Sequence, residues 1–165
     1  MKRIYKILIC ILLVVATFAL VSCDDKPQAK QLTDLTLPTL KDNQMAVIIK
    51  NGEGDYTSYT VTLSKVGRGE VTVEDVIVYL HEEADLYVDW QNGAYGKFIN
   101  GIGGAKPASS GEWVTILTSD EEYINLFASY VMIITVGDVT LQSAKVGVSD
   151  MTAHAGAVVF FMVAN

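Results

Sequence analysis

Cysteine is nearly missing from this 165-residue chain: Cys10 and Cys23 are the whole supply. No thiol follows Cys23, which excludes a disulfide framework, a zinc ribbon and thiol catalysis downstream. Histidine is as scarce, with His81 and His154 only, and neither sits in a zinc-binding spacing or beside a nucleophile motif. Long apolar runs are limited to "ILICILLVVATFALV", residues 7 to 21. That run falls short of the ~20 residues a membrane span needs. Cations are also few: Lys and Arg number 12 against 19 acids, a net charge of −7. Such a balance repels phosphate backbones and argues against nucleic-acid binding.

Three of the twelve cations, Lys2, Arg3 and Lys6, precede the apolar run. A basic start, a short apolar stretch and small residues at its end describe an export signal. The exit, Leu20-Val21-Ser22-Cys23, resembles the lipobox of bacterial lipoproteins. That resemblance implies a diacylglycerol on the Cys23 sulfur and cleavage before Cys23, so that residues 1–22 are a lipoprotein signal peptide. Two acyl chains hold a protein stably at a bilayer where one does not. The expected location is a cell membrane, lipid-anchored, on the extracytoplasmic side. Without residues 1–22 the charge balance becomes nine cations against nineteen acids, or −10.

Residues 23–43 mix charge, Gln, Thr and two prolines with little periodicity, which predicts a lipid-anchored flexible tether lifting a domain off the bilayer. The competing reading is a short strand at "LTDLTLP", against which Pro38 counts. The domain itself is expected over 44–165. "MAVIIK" and "TSYTVTLSKV" flank the Gly-rich "NGEGD" and predict a hairpin. In "VTVEDVIVYLHEEA", Val73, Val76, Ile77 and Leu80 form one helical stripe, with Thr72 and Asp75 spaced as a capping box. Strands are expected at 86–90, 97–102, 112–117, in "YVMIITV", in "VTLQSAKVGV" and in "AVVFFMVA". Ser119 and Glu122 predict a second short helix near 120–128. The order of elements predicts an α+β fold, a β-grasp-like mixed sheet wrapped over one amphipathic helix, with an extra helix-strand insertion.

Tyr95, Gly96, Phe98, Ile99, Ile102, Gly104, then Trp113, and finally Gly147, Val148 and Gly156, follow a family pattern. Over residues 45 to 163 the chain resembles the transcobalamin-like C-terminal domain family, exported or lipid-anchored bacterial domains similar to the C-terminal domain of transcobalamin and intrinsic factor. The resemblance implies a β-grasp-like fold. The chain departs from the pattern by a longer segment at 118–140. It also lacks the helical domain that completes the corrinoid clamp in the transcobalamin relatives, so cobalamin binding does not carry over.

Catalytic motifs fail on spacing. "GIGGAKP" lacks the Gly-Lys-Ser/Thr of a phosphate loop, since Pro107 follows Lys106. "NGEGD" offers only Glu53 and Asp55 to a cation. No cofactor, metal or catalytic residue is therefore assigned. Exposed aromatics beside glycines are the remaining lead, with Trp90, Tyr95 and Trp113 as candidate ligand-binding residues and Phe98 expected in the core. The function expected is a non-catalytic ligand- or partner-binding lipoprotein domain, contacting a small molecule, a glycan or an envelope protein. The alternatives are a structural component of an envelope complex and a cell-surface hydrolase using His154.

Overall fold

The computed structural model describes residues 27, 30–32, 34–93, 96–126 and 131–165. Cys23, residues 1–22 expected as a signal peptide, and Tyr95 lie outside the described residues. The elements run β1 (Lys30–Leu32), β2 (Gln44–Lys50), β3 (Tyr56–Thr62), α1 (Leu63–Val66), α2 (Val73–Ala84), β4 (Val88–Gly93), β5 (Gly96–Ile102), β6 (Trp113–Thr118), β7 (Ile133–Val136), β8 (Val139–Ser143), a 3-10 turn (Val148–Asp150) and β9 (Val158–Ala164).

Seven strands form one mixed sheet in the order β1-β3-β2-β9-β6-β8-β7, and β4 and β5 form a separate hairpin. β2 and β9 are adjacent, central and parallel; the other neighbours are antiparallel. A hairpin, a crossing helix and a last strand laid parallel to the first make the β-grasp arrangement, and the chain is an α+β protein as its pattern predicts. The Thr72 capping box closes in both directions: Thr72 Oγ1 accepts from Asp75 N, and Asp75 Oδ2 accepts from Thr72 N at 2.9 Å. Two of the helix's four orphan amides of the first turn are a cost that such boxes offset. Val73, Val76, Ile77 and Leu80 then bury against Val47, Ile49, Val159 and Phe161 of the central strands.

The opposite sheet face carries a second core of Ala46, Ile48, Leu117, Leu141, Val158 and Phe160. Burial on both faces explains why "MAVII" and "AVVFF" are unbroken apolar runs rather than alternating ones.

Three expectations need correction. The 23–43 segment is not a free tether beyond residue 29: β1 pairs with β3, and Leu35, Leu37 and Leu40 pack on the second core. That face of the sheet is apolar and draws the leucines onto it, which composition averaged over twenty residues conceals. The second helix is not formed over the described part of 120–128. Residues 121–123 make a turn, and Tyr123 O and Asn125 N are spent on Lys145 N and Ser143 O beside β8. Finally, period two ends at Thr62, after which residues 63–66 turn helically and bring Leu63 N onto Asn43 O.

Candidate functional site: the β5–β6 cleft

The β4–β5 hairpin stands against the helix side of the sheet. Its fastening starts at the first turn of α2, where Glu74 reaches outward. Glu74 Oε1 lies 2.7 Å from Lys97 Nζ on β5, and Glu74 Oε2 accepts a short hydrogen bond from Ser149 Oγ of the 3-10 turn. Ser149 Oγ also accepts from Lys97 N at 3.1 Å. The Lys97 hydrogen bond, and after it that of Ser149, holds the Glu74 carboxyl below its ordinary pKa. The Lys97 ammonium sits 4.1 Å from the Trp90 ring centroid, a cation–π contact, with the His81 imidazole edge-on at 6.5 Å. Trp90 is thus a half-buried platform beneath a lysine, not an open ligand surface.

Beside this fastening a cleft of about 320 Å³ opens between β5 and β6. Phe98, Ile99, Val114 and Ile116 give it apolar walls, and Gly93, Gly96 and Gly147 keep it free of side chains. The volume falls at the small end of the range for ligand pockets. Gly96 has φ +93°, and a Cβ there would meet Ser149 Oγ at 2.8 Å, so both the turn and the contact require glycine. β8 pairs with β6 at Leu117 and Thr118, and Ala144 N bonds Ile116 O at 2.9 Å, so β8 does not pair with the first half of β6, Trp113 to Thr115.

Among the described residues, the candidates Trp90 and Trp113 do not share a platform. Trp113 is 48 % exposed but precedes Val114 on β6, so it points to the opposite face from the cleft. Tyr95 lies outside the described residues. Phe98, expected in the core, is 53 % exposed and forms the cleft's outer wall. Sequence reasoning missed Glu74, Lys97 and Ser149. The spacing of 52 residues between Lys97 and Ser149 gives no local signal, and Glu74 reads simply as a favourable first-turn acid.

Two other features carry charge. His154 Nδ1 is 2.7 Å from Asp120 Oδ2, and the ring stacks on Tyr123 at 6.0 Å. The pair ties the exit of β6 to the approach of β9. The neighbouring Ser119 hydroxyl accepts from Val158 N at 2.9 Å. A groove of about 630 Å³ lies at the Thr62 end of the sheet, lined by Asn43, Ser64, Arg68, Glu70 and Thr152 among others. Among the described residues, no three His, Cys, Asp or Glu side chains are grouped to hold a metal ion, and no helix is long and apolar enough to cross a membrane.

No family model matches the chain, and no curated protein matches it.

Proposed function

We propose that this chain is an extracytoplasmic binding domain held to a membrane by a diacylglycerol on Cys23, and that the β5–β6 cleft is where it takes its ligand. The observation that carries the reading is the cleft itself: four apolar walls and three glycines at the open half of β6. The resemblance to the transcobalamin-like C-terminal domain family and the lipobox at Leu20–Cys23 support it. A cleft so lined suits a compact apolar group, either a small molecule or an apolar side chain of an envelope protein. Trp90, next to Lys97 at the cleft wall, is a built-in reporter.

The test uses anilinonaphthalene sulfonate as an apolar probe. Phe98→Ser should weaken binding by about tenfold, since losing most of one phenyl contact is worth roughly 1.5 kcal/mol. The phenyl is largely exposed, so folding should be little affected. Equal affinity in the variant would move the site elsewhere. For the anchor, labelled palmitate should enter the wild type and not Cys23→Ser.

A further inference from the structure

We propose that the ligand of the β5–β6 cleft is an extended polypeptide segment, added as a strand to the open edge of β6 with an apolar side chain set into the cleft. The inference rests on the cleft reading above and names its class of partner.

Hydrogen bonds at the far end of β6 fix which way its peptide groups face. Just past the strand, Ser119 N donates to Val158 O at 3.0 Å, toward β9. Ile116 O accepts from Ala144 N at 2.9 Å, on the β8 side. Alternation then turns Trp113, Thr115 and Leu117 toward β9, and Val114, Ile116 and Thr118 toward β8. The register with β8 ends at Leu117 opposite Ser143, and the Ala144–Ile116 bond closes it. Among the described residues, the Val114 N–H, the Val114 carbonyl and the Ile116 N–H therefore meet no partner on that side. They make a donor, an acceptor and a second donor at strand spacing. Val114 is 8 % exposed and lines the cleft beside Ile116, so a partner for these groups has to enter there. Main-chain groups this poorly hydrated favour a partner strongly.

The fold keeps this edge clear. Past Ala144 the chain leaves β6, with Lys145 N turned to Tyr123 O at 2.8 Å and Ser149 Oγ tied to Lys97 N and Glu74. The segment that would have extended β8 along β6 is drawn to α2 instead. Gly147, on that segment, adds no side chain to the cleft. The edge itself, "WVTI", holds no charge and no proline, and its register with β9 has no bulge. Those are the devices that usually blunt an open edge against pairing.

Opposite residues of an antiparallel pair put their side chains on the same face. Val114 and Ile116 line the cleft, so a residue opposite Val114 sends its own side chain into it. A volume of about 320 Å³ is small for a free ligand and ample for one apolar side chain. In strand addition the main-chain bonds supply affinity and the pocket selects the side chain. A second copy of this chain is the poorer occupant, since domains of net charge −7 repel one another.

The experiment uses the full chain and the peptide acetyl-Lys-Thr-Val-Thr-Leu-Thr-Lys-amide, whose valine and leucine share one face and one edge. Amide hydrogen exchange is followed by NMR. Saturating peptide should slow exchange at Val114 and Ile116 by at least about tenfold and leave Thr115, which faces β9, unchanged. Methylating the valine and leucine nitrogens removes two hydrogen bonds and should weaken binding by about tenfold or more. Methylating two threonine nitrogens, on the outer edge, should change it by less than about twofold. Equal weakening by both methylations overturns strand addition, as does unchanged exchange at Val114 and Ile116. Both amides protected without peptide, in a chain that sediments as a dimer, would assign the edge to a second copy and overturn the proposal too. Anilinonaphthalene sulfonate separates the two readings. If Phe98→Ser weakens its binding while the peptide protects neither amide, strand addition alone falls. If the variant binds it as tightly as wild type and neither amide is protected, the cleft reading falls and takes strand addition with it.

Discussion

Replacing Glu74 by Gln tests the fastening of the β4–β5 hairpin, on which the shape of the cleft depends. The carboxylate bonds the Lys97 ammonium at 2.7 Å and accepts from Ser149 Oγ, and the Glu74 and Lys97 side chains are 22 % and 27 % exposed. Hydrogen bonds to charged groups contribute about 1.5–3 kcal/mol when dry, while exposed ion pairs contribute about 0–1. A quarter-exposed pair falls between these, and glutamine keeps one acceptor for Ser149, so the expected loss is roughly 1 kcal/mol. That is about a fivefold rise in hairpin opening.

The pH dependence has a definite sign. Folding lowers the Glu74 pKa, chiefly through Lys97, so its contribution is complete above the ordinary glutamate value of 4.5 and is lost as pH falls through the lowered folded value. In a Trp113→Phe background, Trp90 emission reports Lys97 leaving its ring, since the chain has only two tryptophans. Wild type should show an acid transition below that value, and Glu74→Gln should lose it while opening more readily at neutral pH. The same acid transition in both proteins would refute the assignment of the fastening to this carboxylate.

Gly104→Ala should cost about 1–3 kcal/mol in urea unfolding through overpacking, because its Cβ would lie 2.5 Å from Asn51 Cβ and 2.8 Å from Asn51 Cα. Gly111→Ala, which meets open space, serves as the neutral control. Phe160→Ala, at the centre of the second core beside Tyr56, should cost about 3–5 kcal/mol by the same measurement. Leu35→Ser with Leu37→Ser should lower the urea midpoint and promote self-association, whereas a free tether would tolerate both changes. His154→Ala should leave probe binding in the cleft unchanged, because the Asp120–His154 pair stands outside the cleft's lining; a tenfold loss in titration would place the imidazole in the site.

What could be read in the residues was whatever repeats over short range. The helical stripe of Val73, Val76, Ile77 and Leu80, its Thr72 box and the hairpin at "NGEGD" are local patterns, and each is where its spacing predicts. The mixed sheet followed from the order of those elements. The unbroken runs in β2 and β9 also held a signal for two covered faces, legible once their parallel, central pairing is known.

The cleft was not legible, because its parts meet only in three dimensions. Glu74, Lys97 and Ser149 are drawn from a helix, a hairpin and a 3-10 turn, and no periodicity links them. The fate of Trp113 and Phe98 was likewise tertiary: alternation assigns a side chain to one face of a strand but not what covers that face. Ser119 and Glu122 spell a helix start, yet the edge of β8 competes for the same backbone groups and wins at Tyr123 and Asn125. Local sequence thus determined the elements and, through Cys23, the proposed anchor. Long-range packing decided which leucines cover the sheet and where the cleft opens, because burial and strand pairing are settled between segments far apart in the chain.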